Sequence, residues 1–190
     1  MTNFIGIYDN ACKPNACKQI IDFFEENKQR HLRGRFWHGG KAKVDKSVKH
    51  STDISMDFHE KNVCNTIMEN VLNFYTIQYQ EKFRSTWIIN NWSVDYLYNI
   101  QKYNPGEGYF LTHCEDHCSE TNRVLAWTLY LNDVTDGGGT KFVEYDETVD
   151  AVQGRLCIFP AYFTHAHHGV VSPTQTKYIV TGWYVYNKES

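Results

Sequence analysis

The sequence predicts a mainly β protein, an antiparallel sandwich or barrel carrying N-terminal helices on one outer face. Three observations lead there. Aromatic residues make up 15% of the chain, with 13 Tyr, 11 Phe and 5 Trp, and such side chains favour pleated, half-buried surfaces. The hydrophobic period changes near Trp87, from helical spacing before it to alternation after it. Finally, Asp136-Gly137-Gly138-Gly139 supplies positive-φ residues for a tight turn between two strand candidates. A chain of 190 residues has room for one core. We therefore expect a single domain over 1–190, with 1–86 as helical support and a basic loop and 87–186 as the β core.

The elements follow in order. Over 13–28, Ala16, Ile20, Ile21, Phe23 and Phe24 recur at helical spacing, with Pro14 suited to the first turn. A second helix is expected over 61–83, with Val63, Ile67, Val71, Phe74, Ile77 and Tyr79 as its apolar stripe. Between them, 33–53 is rich in Gly and Lys and reads as a strand pair or a mobile loop. In 94–102, Val94, Tyr96, Tyr98 and Ile100 alternate with Asp95, Leu97, Asn99 and Gln101. Further strands are expected at 109–115, 123–132, 141–145, 154–159 and 177–186. If the apolar face of 94–102 packs on the helices, Asn99, Gln101 and Tyr103 point the other way, and a polar interior face needs a ligand or metal as its occupant. The aromatics Phe74, Tyr75, Trp87, Trp92 and Trp127 are expected in the core.

Charge and composition exclude several classes. A net charge of −3 does not suggest a nucleic-acid or membrane-surface binder as a whole, and no apolar run approaches the roughly 18 residues that span a bilayer. The start, MTNFIGIYDN, lacks a basic-then-apolar signal segment. With that, the six cysteines read as reduced thiols and the expected location is the cytoplasm. Oligomeric state is left open. The segment 28–49 carries Lys28, Arg30, Arg33, Arg35, Lys41, Lys43, Lys46 and Lys49 against Asp45 alone. It reads as a solvated loop or as a lid over a peptide, hinged at Trp37 and His38-Gly39-Gly40.

Five of the nine histidines fall in two short segments, His113 and His117 in one, His165, His167 and His168 in the other. On an extended chain His113 and Glu115 share a face and Asp116 points away. A second imidazole from 165–168 completes two histidines and a carboxylate, a facial triad suited to iron(II), whereas zinc is satisfied by a fourth ligand. Lys177, opening a largely apolar strand, is either a snorkelling edge residue or the anchor of a buried carboxylate, with Tyr103 and Tyr130 able to add hydroxyls. Cys114, His117 and Cys118 could be half a zinc site, but no second pair follows at finger spacing; redox-sensitive thiols are the other option.

The blocks Tyr103-Asn-Pro-Gly-Glu-Gly-Tyr109-Phe-Leu-Thr-His113-Cys-Glu115, Arg123 to Asn132, Gly137-Gly-Gly-Thr-Lys-Phe142, His167-His-Gly169 and Lys177-Tyr178 closely resemble the iron(II)- and 2-oxoglutarate-dependent oxygenases of the prolyl 4-hydroxylase type, in the small form found in bacteria and their phages. The resemblance covers roughly 87–186. It implies a double-stranded β-helix (a jelly roll, cupin-like) flanked by helices, with His113, Glu115 and His167 as iron ligands. It also implies Lys177 as partner of the 2-oxoglutarate C5 carboxylate with Tyr130 and Tyr103 in the same pocket, and Arg123 on the substrate side. The implied cofactors are iron(II), 2-oxoglutarate and dioxygen, with ascorbate admitted. The implied reaction is hydroxylation of prolyl residues in a peptide or protein. Its rivals are another amino acid, a small molecule or a nucleobase as substrate, or a non-catalytic metal-binding jelly-roll module. Most of the family has aspartate where this chain has Glu115; Asp116 is the fallback ligand, and His165 shares the strand face of His167.

Overall fold

A computed structural model of the chain describes residues 2–38, 41–89, 91–116 and 122–187. After a short first strand, β1 (Gly6–Tyr8), helix α1 (Pro14–Glu26) begins on its proline and buries Cys17, Ile20 and Phe24. Helix α2 (Val63–Lys82) is capped by Asn62, whose side chain accepts the Asn65 N–H. The face α2 buries is Cys64, Asn65, Met68, Val71, Leu72 and Tyr79, which is rotated from the expected stripe. Val63, Phe74 and Ile77 are instead 41%, 58% and 55% exposed. The cause is a polar residue inside the buried face. Asn65 donates to the carbonyls of Asp57 and Glu60 and accepts from the Tyr98 hydroxyl, so a count of apolar residues alone misplaces the stripe. Trp87, expected in the core, is 69% exposed, whereas Trp127 is fully buried. No described helix is long and apolar enough to cross a membrane.

The remaining strands are β2 (Leu32–Arg33), β3 (Phe36–His38), β4 (Lys41–Lys43), β5 (Thr52–Asp57), β6 (Trp92–Tyr103), β7 (Arg123–Tyr130), β8 (Thr140–Phe142), β9 (Glu147–Val149), β10 (Leu156–Pro160), β11 (His167–Gly169) and β12 (Lys177–Tyr186). They form an antiparallel seven-stranded sheet in the order β1-β10-β7-β12-β6-β5-β2 and a three-stranded sheet β11-β8-β9, with β3-β4 as a separate hairpin. This is the double-stranded β-helix; the large sheet ends on the edges β1 and β2, so it does not close into a barrel. The basic segment takes the strand-pair reading, with Gly39 and Gly40 outside the described residues. Strands β1, β5 and β9 carry no alternation strong enough to predict them. Conversely, 109–115 is not a strand. Its ladder pairing is confined to single bridges, Lys49 with Tyr109 and His113 with His167, besides isolated backbone hydrogen bonds such as that of Glu115 to the Ala161 carbonyl.

The large sheet has a core on each face. On β12, Val180 and Tyr184 join the helix-side core, whereas Lys177, Ile179, Thr181 and Trp183 face a cavity. On β6, Tyr98 and Ile100 take the helix side, and Asn99, Gln101 and Tyr103 line the cavity, as their alternation predicts. On β7, Leu125, Trp127 and Leu129 pack on the helices while Ala126 and Tyr130 belong to the second core, shared with Phe142 of the small sheet. Arg123 lines the cavity although its parity is that of Leu125. A bulge lets Leu125 pair with Tyr184 and Arg123 with the next residue, Val185, which turns the arginine across the sheet. Gly182 leaves room for Trp127, whose indole carbons would lie 2.5 Å from a Cβ there.

Candidate active site

The two halves of the histidine cluster meet through the backbone. His113 and His167 each donate an N–H to the other's carbonyl, both at 2.9 Å, and β11 holds His167 against Phe142 of β8. Glu115 is positioned without a strand: its N–H and that of Asp116 both reach the Ala161 carbonyl at 2.9 Å. The result brings one ligand atom each of His113, Glu115 and His167 within 4.8 Å of one another. Glu115 Oε1 lies 3.6 Å from His113 Nε2 and 3.5 Å from His167 Nε2. His165 is outside this group; its Nε2 donates to the Asn3 carbonyl at 2.7 Å and its Nδ1 accepts from the Thr164 hydroxyl at 2.9 Å. Asp116 is outside it too, as the grouped atoms belong to Glu115. His117 and Cys118 lie outside the described residues, and Cys114 Sγ contacts the Asp116 carbonyl.

The donor set fits a divalent iron. His113 Nδ1 sits 2.8 Å from the Leu111 carbonyl and His167 Nδ1 2.9 Å from the His165 carbonyl. A carbonyl can only accept, so each Nδ1 carries the proton and each neutral ring presents an Nε2 lone pair. Two lone pairs and a carboxylate converging without a donor among them repel one another unless a cation sits between. Burial alone would raise the Glu115 carboxyl; hydrogen bonds and positive charge from the facing His113 and His167 rings, which only their protonated forms supply, outweigh it and hold the carboxyl well below the usual carboxylate range, a place that a bound cation takes when the rings are neutral. Its second oxygen is fixed separately, accepting from Trp183 Nε1 at 2.8 Å and from Arg123 Nη1 at 3.5 Å. The Arg123 guanidinium also donates to the Glu115 carbonyl at 3.1 Å and stacks 3.6 Å from the Trp183 ring centre. Tyr109 stacks on His113 at 3.9 Å and Phe159 meets His167 edge-on at 4.8 Å. Neither Trp183 nor Tyr109 was singled out from the sequence, although Trp183 shares the strand parity of Lys177.

The triad opens into a cavity of about 720 Å³. Lys177 stands in its wall, buried, donating to the Gly138 carbonyl at 2.9 Å with its Nζ 4.6 Å from the Tyr103 ring centre. Gly138 has a φ of +76°, and a Cβ there would strike Val134 at 2.7 Å, so the turn that offers this carbonyl depends on glycine. Burial pulls the Lys177 ammonium down to about 8. Tyr103 donates its hydroxyl to Gln101 Oε1 at 2.9 Å, and the Tyr130 hydroxyl bonds Thr140 Oγ1 at 2.7 Å. Both phenols are raised, chiefly by burial. A buried ion pair that the sequence did not announce shares this wall: Lys49 Nζ contacts Asp53 Oδ2 at 2.8 Å, and Ser51 and Gln101 also donate to Asp53.

Comparison with known proteins agrees with this geometry. Residues 98–185 match the 2OG-Fe(II) oxygenase superfamily. No curated protein sequence matches the chain. Among solved structures it is similar to a prolyl-4-hydroxylase of Pseudomonas putida, with a TM-score of 0.71 and 15% identity over 98% of this chain and 95% of that one. It is also similar to the viral collagen prolyl hydroxylase of Paramecium Bursaria Chlorella virus-1 in its 2OG complex, with a TM-score of 0.66 and 15% identity over 97% of each chain. A third is a Trichoplax adhaerens prolyl hydroxylase in complex with a hypoxia inducible factor oxygen degradation domain peptide fragment, with a TM-score of 0.75 and 16% identity over 97% and 84%. At these identities the likeness is one of fold. Family segment, fold and donor set together support the same class: residues 98–185 are a 2OG-Fe(II) oxygenase segment within a prolyl 4-hydroxylase-like fold, which supports a 2-oxoglutarate-dependent dioxygenase with iron(II), 2-oxoglutarate and dioxygen as its cofactors.

Proposed function

We propose that this oxygenase hydroxylates prolyl residues in a peptide or protein and converts 2-oxoglutarate to succinate and carbon dioxide. His113, Glu115 and His167 are the iron ligands in this reading, and the convergence of their three acceptor atoms within 4.8 Å is the observation that carries it. Bound iron supplies the oxidising power for a C–H bond that no side chain could attack. The chain's own residues do the rest. The backbone carbonyls of Leu111 and His165 keep both imidazoles in the ligating tautomer. Arg123 and Trp183 hold the Glu115 carboxylate in place, and Arg123 lies on the cavity wall where a substrate would pass.

Lys177 is the anchor for the cosubstrate's distal carboxylate, with Tyr103 and Tyr130 beside it. A buried ammonium that donates to one carbonyl among the described residues is costly unless an anion completes it. A non-catalytic module has no need of that lysine. The prolyl assignment draws on the named prolyl hydroxylases of the same fold and on the peptide carried by one of them. Its test is succinate release against a panel of proline-containing peptides, with mass spectrometry locating the added oxygen. Succinate coupled to oxidation of residues other than proline, and never to proline, would overturn the prolyl assignment.

A further inference from the structure

The basic segment divides in its use. Arg30 serves the fold: its guanidinium grips Glu60 at 2.9 and 3.3 Å and the Ser55 carbonyl at 3.0 Å. Arg33 and Arg35 do not. Both are exposed, both line the cavity, and neither side chain has a hydrogen-bond or ion-pair partner among the described residues. Lys41 and Lys43 on the neighbouring hairpin are likewise exposed and unpaired there. The cavity's own acids cannot neutralise them, because Asp53 is engaged by Lys49, Ser51 and Gln101, and Glu115 by the histidines, Trp183 and Arg123. The third, Asp95, is half-buried, accepts from the Leu97 N–H at 3.3 Å and makes no ion pair with Arg33 or Arg35 among the described residues. Two large, exposed apolar side chains, Trp37 and Phe163, line the same opening.

We propose that this mouth selects peptides with acidic residues flanking the oxidised side chain, with Arg33 and Arg35 pairing to their carboxylates and Trp37 and Phe163 covering the apolar stems between. The proposal rests on the peptide reading above and adds the substrate's charge. A polynucleotide fits less well. The segment 28–49 has eight basic residues and one acid, a net of +7 within a chain of −3, which leaves −10 on the rest. A long polyanion reaching past the mouth by more than a Debye length, about 8–10 Å, meets that opposing charge; a short acidic stretch does not.

The test uses the full chain loaded with manganese(II), a stand-in for iron that permits no turnover, and 2-oxoglutarate. Fluorescence anisotropy compares labelled peptides of equal length in which a central proline is flanked by glutamate, glutamine or lysine. The glutamate peptide is expected to bind about tenfold tighter than the glutamine peptide, or about 1.4 kcal/mol. This preference shrinks as salt rises and falls below about twofold in the Arg33→Gln/Arg35→Gln variant, while Arg33→Lys/Arg35→Lys retains most of it. Melting of both variants checks their folding; exposed substitutions of this kind shift stability by about 0.5 kcal/mol or less. Equal binding of glutamate and glutamine peptides, an undiminished preference in the Gln variant, or stronger competition by an oligodeoxynucleotide of equal charge overturns the proposal. A fourth peptide, glutamate-flanked with alanine for proline, separates the two readings. If it binds with the same preference and the iron(II)-loaded protein, in the succinate assay, oxidises no prolyl peptide, the charge proposal stands and the prolyl one falls; prolyl oxidation by the iron(II)-loaded protein that is indifferent to flanking charge does the reverse.

Discussion

Replacing Lys177 by methionine should make the unliganded protein more stable while removing its use for 2-oxoglutarate. The ammonium is held at about 8 rather than 10.5 by burial alone. At about 1.4 kcal/mol per unit, keeping it charged costs the fold about 3 kcal/mol at neutral pH. Against this, methionine forfeits the hydrogen bond to the Gly138 carbonyl and the contact with the Tyr103 ring, each about 1 kcal/mol. The balance is a gain of about 1 kcal/mol for Lys177→Met in urea unfolding at pH 7. For a cation lowered by folding, the cost is complete below the folded value and vanishes above the unfolded one. Wild-type stability should therefore rise between pH 8 and pH 10.5, and the variant's advantage should disappear over the same interval. The ligand should act the other way. With metal bound, 2-oxoglutarate at about a hundred times its Kd stabilises the wild type by about 2.7 kcal/mol and Lys177→Met far less. The wild-type KM for 2-oxoglutarate should climb about fivefold from pH 8 to pH 9 as the ammonium deprotonates. A variant less stable than wild type at pH 7 and equally stabilised by 2-oxoglutarate would refute the assignment of Lys177 as an anchor.

Three further outcomes are expected. His167→Ala should abolish the charge-transfer absorption that iron(II) and 2-oxoglutarate give anaerobically, whereas His165→Ala, which loses its contact with the Asn3 carbonyl, should keep it; the opposite pattern would move the ligand role. Asp53→Asn leaves Lys49 as a buried cation without its carboxylate and should cost about 3–5 kcal/mol in urea unfolding, largely recovered in Lys49→Met/Asp53→Asn. Arg123→Lys forfeits the stack on Trp183 and the grip on Glu115, and should weaken iron binding about 10- to 100-fold by competition titration with little change in melting temperature.

Legibility in the sequence followed the physics of each segment. Strands buried on both faces of the large sheet, such as β12, kept their alternation, so the polar face of β6 could be assigned from period two, whereas the residues alone left Lys177 as a snorkelling edge residue or an anchor and only the family resemblance implied the anchor. Glu115 could be named but not for the right cause. The segment 109–115 presents its side chains through two single bridges and the Ala161 carbonyl, tertiary contacts that leave no periodic trace. The α2 stripe failed because Asn65, satisfied by backbone carbonyls and Tyr98, counts as polar in a list and as buried in the molecule. Asp53 was hidden because it closes the segment 33–53, whose Gly- and Lys-rich sequence reads as a strand pair or a loop, and Arg123 reaches the cavity only through a bulge that no alternation could foretell.

The paired backbone bonds between His113 and His167 have a consequence for assembly. They join positions more than fifty residues apart, so two donors are near neighbours along the chain and the third arrives only when that long loop closes. Loop closure of this size costs several kcal/mol of chain entropy, which metal alone would have to overcome in an unfolded polypeptide. Once β7, β8 and β11 are paired, the closure has already been made. Iron should thus be a late arrival on a finished scaffold, and its withdrawal should leave the β-helix standing.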